Sequence, residues 1–146
     1  MPKPPTSSYI RSIFSTTVAG VSKGSDTLKL AGEHGFVPMS LNLNPGYVAS
    51  HWESVEEGAR RTGRNPRRAD WRLVREVFVA ETDAEAWKLS VGSMMGRMMR
   101  EYFLKLLGSF GFLAYLKHDQ TVSDSDVTPE YCARRNWVIG SPSTGC

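Results

Sequence analysis

The sequence predicts an α/β architecture with parallel strands, and three observations carry that prediction. Short runs of β-branched and apolar residues alternate along the chain with helical patterns, which is the order of βαβ units. One run, Trp71–Ala80, begins with alternation and ends as a continuous apolar stretch, which is typical of a strand buried on both faces. A capping box, Thr82-Asp83-Ala84-Glu85, follows that run directly and predicts a helix.

The first part of the chain predicts a strand, a helix and a second strand. The strand Ile13–Ala19 is rich in β-branched residues and is closed by Gly20. Ser25 suits the N-cap of the following helix, and Gly35 suits its end in the left-handed conformation. A short apolar run, Phe36–Met39, then predicts a brief strand that contains a proline and is therefore poorly paired.

Later segments predict further helices. Asn44-Pro45 combines a cap residue with a proline at the first helical position, and Thr128-Pro129 repeats this pattern. A longer helical stretch after residue 82 is interrupted by Gly92 and Gly96. The helix after Asn44 has an apolar face at spacings of 4, 3 and 4 residues, formed by Val48, Trp52, Val55 and Ala59.

Composition limits the function classes. The chain has 146 residues, 40% apolar and 23% charged, so we expect one globular domain over 12–142, a loose leader at 1–11 and a tail at 143–146. No stretch reaches the ~18 apolar residues of a membrane span. The start of the chain lacks the apolar region of a secretory signal, and Cys132 and Cys146 suggest no disulfide framework, so we expect a cytoplasmic location.

Charge does not predict a nucleic-acid partner. The net charge is only +3, and five arginines between residues 60 and 68 account for the excess. No aromatic residues are interleaved with these arginines, so the cluster is read as a solvated helix end and loop rather than a polyanion site.

The turn after the first strand is the candidate binding site. A glycine at a strand end lets the backbone approach a ligand, and N–H groups at a following helix start suit a phosphate. Gly20 and Ser22 fit this chemistry, and Lys23 adds positive charge, although the turn matches neither a P-loop nor a dinucleotide fingerprint. A tight connection that needs glycine for geometry alone is the alternative.

Other reactive residue types form no recognisable array. His34, His51 and His118 are not spaced for a shared metal, and each is expected to be structural. No serine sits in a nucleophile elbow, so the catalytic residues are not identified and no metal is expected. The methionines at 94, 95, 98 and 99 indicate either adaptable packing or a subunit interface.

Several long runs follow one another in the order of a known family. They are Ser25–Gly35, Gly58–Arg64, Trp71–Ala86, Gly96-Arg97 with Glu101-Tyr102-Phe103, and Trp137–Pro142. These runs resemble bacterial luciferase-like flavin monooxygenases, in particular the limonene- and alkane-monooxygenase-like subgroup. The resemblance covers about residues 17–142.

The resemblance implies a (β/α)8 TIM barrel that oxygenates a small organic substrate with reduced FMN and O2. It also implies a separate flavin reductase and a homo-oligomer for the complete enzyme. In the family, an Ala-Gly-Ser-Ser-Pro-like turn contributes to the flavin phosphate site, and here it corresponds to Gly20, Val21 and Ser22. Val21 replaces a serine and Lys23 replaces the proline, so only the backbone N–H is available at position 21.

The resemblance covers the family's C-terminal part, so we expect a partial (β/α)8 barrel. The strands that supply most of the flavin cradle have no counterpart here, and the chain is expected to be a fragment that is inactive alone. Two alternatives stay open. One is a non-catalytic interaction module that pairs through its helix at Met94–Leu107, and the other is an F420-dependent oxidoreductase of the same barrel superfamily.

Overall fold

A computed structural model describes residues 15–143, and strands and helices alternate in it as predicted. The 3-10 turns lie at Arg68–Asp70, Leu113–Leu116 and Asp124–Asp126, and a π-helical turn lies at Met99–Phe103. In chain order the other elements are β1 (Thr17–Gly20), α1 (Asp26–His34), β2 (Val37–Ser40), α2 (Pro45–Ala49), α3 (His51–Arg61), β3 (Arg72–Leu73), β4 (Val77–Val79), α4 (Asp83–Gly92), α5 (Met94–Met98), α6 (Leu104–Ser109), α7 (Pro129–Arg135) and β5 (Val138–Gly140).

The described chain divides into two compact units. Unit 1 contains residues 15–41 and 49–73, and unit 2 contains residues 42–48 and 74–143. The predicted leader at 1–11 and residues 144–146 of the predicted tail lie outside the described residues. The single domain over 12–142 stays a prediction.

Unit 1 is a parallel α/β unit. Its three strands have the order β1-β2-β3, and β2 pairs in parallel with both neighbours. The helices α1 and α3 connect consecutive strands, as βαβ topology requires. Leu28, Trp52 and Val55 form the buried core, and Trp71 packs against it.

The ends of α1 follow the sequence prediction. Ser25 is the N-cap, and its Oγ accepts a hydrogen bond from the backbone N–H of Leu28. Gly35 closes the helix with a φ of 72°, a conformation that favours glycine over other residues. The predicted helix is therefore confirmed at both ends.

The helices α1 and α3 contact each other through two glycines. A Cβ added to Gly32 would lie 1.9 Å from the carbonyl oxygen of Val55. A Cβ added to Gly58 would lie 1.8 Å from the carbonyl oxygen of Lys29. Because each atom met belongs to the backbone, the two helices approach more closely than any side chain at these positions permits.

Unit 2 contains the second parallel pair, β4 and β5, with Val77 beside Val138. Thr82 caps α4 by accepting a hydrogen bond from the N–H of Glu85, which confirms the predicted capping box. Nη1 of Arg75 donates to the side-chain oxygen of Asn42 at 2.7 Å and to the carbonyl of Leu43 at 2.9 Å. These contacts bind residues 42–48 into unit 2.

The predicted long strand Trp71–Ala80 is wrong. The structure has two short strands there, β3 paired with β2 and β4 paired with β5 in a different sheet. Residues 74–76 connect β3 to β4 and belong to neither strand. Val77 and Val79 are 58% and 59% exposed, so β4 is not buried on both faces.

Other boundaries differ from the sequence prediction as well. The strand predicted over Ile13–Ala19 is described from Thr17 to Gly20, and Ile13 and Phe14 lie outside the described residues. The amphipathic helix after Asn44 divides at Ser50 into α2 and α3. β5 is a strand that the sequence analysis did not predict.

Glu76, beside the amino end of β4, gives a pH-dependent stability prediction. Its Oε2 is buried without a hydrogen-bond partner among the described residues, and burial raises the pKa of the carboxyl above 4.5, although the positive charge of Arg75 opposes this. The folded state therefore binds this proton more tightly than the unfolded state. The contribution of this carboxyl to stability is therefore greatest below pH 4.5, and it is lost as the pH rises through the folded-state pKa.

We expect Glu76→Gln to increase the free energy of unfolding at pH 7, because glutamine carries no charge to bury. The increase should be a few tenths to about 1 kcal/mol, because solvent screens a partly exposed group. Urea unfolding between pH 4 and pH 8 measures the free energy of unfolding of both proteins. Glu81→Gln makes the same charge change at an exposed position. Equal pH dependence in the two variants contradicts the prediction.

Candidate functional site

The carboxyl ends of the unit 1 strands form the candidate site. β1 ends at Gly20, β2 at Ser40 and β3 at Leu73, and the strands are parallel, so all three ends lie on one edge of the sheet. Open parallel α/β sheets bind ligands at this edge. The predicted phosphate residues Gly20, Val21 and Ser22 lie at this edge, where β1 ends.

The turn after β1 is attached to the start of α1. Oγ1 of Thr27 donates to the carbonyl of Ala19 at 2.8 Å and lies 2.8 Å from Oγ of Ser25. Gly24 has a φ of 69°, which allows the chain to reverse before α1 begins. Hydrogen bonds from side chains at the start of α1 therefore hold this turn in place.

Gly20 is needed for packing. A Cβ at this position would lie 2.4 Å from Cγ of Leu28 and 2.8 Å from Oγ of Ser25. Gly20 is buried, whereas Val21 and Ser22 are half-buried. The accessible groups of the turn are therefore those of Val21 and Ser22, rather than those of Gly20.

The donors of the turn fit a phosphate group. Backbone N–H groups, a half-buried hydroxyl at Ser22 and the exposed Lys23 provide the hydrogen bonds and positive charge that a phosphate monoester requires. The exposed Asp26 carboxylate at the helix start opposes an anion, and Lys29 lies 3.6 Å from it. On balance the residues present fit the phosphate end of a nucleotide-like cofactor.

A buried cluster beside the turn was missed by the sequence analysis. Nδ1 of His51 lies 2.9 Å from Oγ of Ser40, and Nε1 of Trp71 donates to the same oxygen at 2.9 Å. His51 and Ser40 are both 0% exposed. His51 is the first residue of α3, so it lies at the border of a helix, and its side chain is buried.

The hydrogen bonds assign the protons in this cluster. Burial lowers the pKa of His51 below 6.5, and an interaction with the Val21 backbone opposes that shift. Since Trp71 donates to Ser40, the simplest assignment has the Ser40 hydroxyl donating to Nδ1 of a neutral imidazole.

The remaining histidines and the described cysteine have contacts of their own. His34 is exposed and stacks on Phe36 with 5.4 Å between ring centroids. Nδ1 of the exposed His118 hydrogen-bonds the hydroxyl of Tyr131. Burial, together with nearby carboxylates, raises the pKa of the Cys132 thiol to about 12, so this thiol is unreactive.

The arginine-rich segment is structural. Arg67 forms two hydrogen bonds with the carboxylate of Asp70, both at 2.9 Å. The guanidinium of Arg68 lies 5.6 Å from the ring centroids of both Trp52 and Trp71. These contacts agree with the predicted reading of a helix end and loop.

Unit 2 has a polar surface depression of about 460 Å³ beside α5. Its charged groups are paired with each other: Arg100 lies 3.1 Å from Glu130, and Arg97 lies 3.8 Å from Glu101. Across residues 15–143, no three metal-ligating side chains gather and no helix is long and apolar enough to cross a membrane.

A family model described as luciferase-like monooxygenase matches residues 2–144. The chain belongs to the luciferase-like monooxygenase family. It is 29% identical to 2,5-diketocamphane 1,2-monooxygenase 1 of Pseudomonas putida over 136 residues, which is 92% of this chain and 38% of that protein. It is 30% identical to 3,6-diketocamphane 1,6-monooxygenase of the same organism over 127 residues, which is 87% of this chain and 34% of that protein.

A solved structure of this luciferase-like family has the same fold. It is the oxygenating constituent of 3,6-diketocamphane monooxygenase, a type II Baeyer–Villiger monooxygenase in complex with FMN. The TM-score is 0.81 at 29% identity, over 89% of this chain and 36% of that chain. The predicted family and the predicted partial barrel are confirmed.

The luciferase-like chain spans about a third of the length of the relatives it matches. The assignment of Gly20, Val21 and Ser22 to the cofactor phosphate stays a prediction. Sequence reasoning missed Ser40, His51 and Trp71 because they are 11 to 31 positions apart along the chain. The polar residue at the end of a predicted strand, Ser40, was the one available signal.

Proposed function

We propose that this chain forms part of an FMN-dependent monooxygenase that oxygenates a small organic substrate with O2. The match to an FMN-bound oxygenating constituent over 89% of the chain is the observation that carries the proposal. A ketone is the first substrate class to test, because that relative is a Baeyer–Villiger monooxygenase. The proposal includes a separate flavin reductase, a homo-oligomeric complete enzyme and a cytoplasmic location.

In this proposal the turn at the end of β1 holds the phosphate end of FMN. Gly20 lets the backbone turn sharply against Leu28, and Val21 and Ser22 present an N–H group and a hydroxyl. Reduced FMN, when bound, supplies the electrons that allow one atom of O2 to enter the substrate and the other to leave as water. The protein's part here is to bind and orient the cofactor.

The proposal assigns weak FMN binding and no turnover to these 146 residues alone. They correspond to about a third of the length of the relatives. Only one wall of a cofactor site is available from the carboxyl edge of unit 1, and a cofactor usually needs 70–90% of its surface buried for tight binding.

Titration of the purified chain with FMN and with riboflavin tests the phosphate site. Riboflavin lacks only the phosphate, so we expect FMN to bind about tenfold more tightly, the effect of one charge-assisted hydrogen bond. Ser22→Glu places a negative charge in the turn and should abolish this preference. Ser15→Glu, at the opposite end of β1 and exposed, should preserve it.

Three outcomes contradict the proposal or a part of it. Equal affinity for FMN and riboflavin removes the phosphate site from this turn. Tight, stoichiometric binding of FMN contradicts the view that this chain supplies only part of the cradle. Preferential binding of deazaflavin F420 favours the alternative F420-dependent oxidoreductase.

A further inference from the structure

The two-stranded parallel sheet of β4 and β5 has one exposed apolar face. Val77, Val79 and Val138 are 58%, 59% and 49% exposed, whereas Phe78 and Ile139, at the alternate positions, are half-buried. Val77 lies beside Val138 in the register, and side chains two positions apart along a strand share a face. The three valines therefore lie together on one side of the sheet, which we call the valine face.

A helix covers the opposite side of this sheet. The helix α4 follows β4 closely and contacts both strands. Because α4 covers one face, the exposed valines lie on the other. In a (β/α)8 barrel the helices form the outer ring, so the face turned away from them is the barrel interior. The valine face therefore corresponds to the interior of a barrel.

The residue type of this face agrees with an interior position. Parallel strands in α/β proteins are normally buried on both faces. The interior of a (β/α)8 barrel is filled by layers of side chains from alternate strands, and branched residues such as valine dominate these layers. Three valines that are about half exposed or more are thus the residues of an interior layer, exposed on one side in this chain.

The matched structure indicates which polypeptide covers the valine face. This chain corresponds to 36% of the oxygenating constituent of 3,6-diketocamphane monooxygenase, at a TM-score of 0.81. A complete (β/α)8 barrel needs about 250 residues, so the unmatched part of that chain supplies the remaining strands and fills the interior from the other side.

A second copy of this chain is a weaker candidate for the same surface. A stable interface buries about 800 Å² on each partner, and three valine side chains alone fall far short of that area. Barrel closure adds backbone hydrogen bonds along the strand edges to the apolar contact. Only the completing part of a barrel offers both.

We propose that the valine face docks the part of a luciferase-like chain that this sequence does not match, and that this contact closes the barrel. The inference rests on the proposed function, in which the chain forms part of an FMN-dependent monooxygenase. It deepens that proposal by naming the surface through which the enzyme is completed.

Co-expression of the full 146-residue chain with the unmatched part of the 3,6-diketocamphane monooxygenase chain tests the association. We expect a 1:1 complex in size-exclusion chromatography with light scattering. Val79→Lys places an ammonium group among apolar side chains of the closed barrel and should weaken the complex by at least about 100-fold. In the chain alone the same lysine reaches solvent, so its urea midpoint should stay unchanged.

Two further variants control for the nature of this change. Val79→Ile keeps a branched apolar side chain and should retain the complex. Leu89→Lys introduces the same charge on α4, where Leu89 is 43% exposed. The helices stay outside a closed barrel, so Leu89→Lys should also retain the complex.

A single-chain arrangement decides the case in which the two polypeptides do not assemble in trans. In this chimera the 146-residue chain replaces the matched segment of the relative. We expect Val79→Lys to lower the urea midpoint of the chimera and Leu89→Lys to leave it unchanged. A chimera that does not fold overturns the proposed fit between the valine face and that partner.

The remaining outcomes separate this inference from the proposed function, because association needs no flavin. A complex that assembles without binding FMN overturns the proposed function and supports the docking surface. Equal effects of Val79→Lys and Leu89→Lys on the complex and on the chimera overturn the docking surface. A homodimer of the chain alone that Val79→Lys dissociates shows that a second copy covers the valine face, and it overturns the proposal as well.

Discussion

Gly58→Ala is expected to destabilise the chain by about 3 kcal/mol or more. The added Cβ would lie 1.8 Å from the carbonyl oxygen of Lys29 and 2.6 Å from its carbonyl carbon. Backbone atoms of α1 cannot rotate away as a side chain does, so the two helices must separate. Separation exposes the core formed by Leu28, Trp52 and Val55. Urea unfolding followed by circular dichroism measures the loss.

The matched control is Gly92→Ala, also in a helix. A Cβ at Gly92 meets nothing within 4 Å. Alanine has the higher helix propensity, so this variant should be as stable as the parent or more stable by up to about 1 kcal/mol. Gly32→Ala, whose Cβ would lie 1.9 Å from the Val55 carbonyl oxygen, should repeat the large loss. Similar stability of Gly58→Ala and Gly92→Ala rules out the proposed close helix contact.

Leu28→Ala is expected to cost about 2–5 kcal/mol, the range for removing a fully buried leucine. Leu28 is 0% exposed and contacts the core of unit 1. It also lies against the position where a Gly20 Cβ would stand, so the cavity opens directly under the turn that we assign to the phosphate. Thermal unfolding gives the stability change, and the FMN titration shows whether the turn loosens with it.

Leu30→Ala provides the comparison within the same helix. Leu30 is 43% exposed, so the same truncation removes little buried surface. Its cost should stay below about 1 kcal/mol. If Leu28→Ala and Leu30→Ala lose the same free energy of unfolding, the burial of Leu28 is not the cause of its loss.

The elements that sequence reasoning predicted well are those with local signals. Ser25 and Thr82 act as N-caps, and Gly35 ends a helix with positive φ, as each residue type predicts within a few positions of chain. The alternation of strands and helices was sufficient for parallel α/β structure. Local chemistry therefore determined these parts without knowledge of distant contacts.

The failures arose where partners distant in sequence decide the structure. Residues 71–80 have the composition of one strand, but β3 pairs with β2 and β4 pairs with β5. No pattern within that run shows that its two halves belong to different sheets. The residues Gly20, Val21 and Ser22 are consecutive, so a local pattern was enough to propose them. The His51 cluster joins three separate segments of the chain, so no local pattern could indicate it.

Residues 42–48 carry a practical consequence for dissecting this chain. They lie between β2 and α3 of unit 1, yet Arg75 binds Asn42 and Leu43, and the N–H of Asn44 donates to the carbonyl of Tyr115. Neither unit is therefore one uninterrupted stretch of polypeptide. A protease cut or an expression boundary near residue 73 would separate the loop from the residues that anchor it, so each half is better obtained by rearranging the chain order than by trimming.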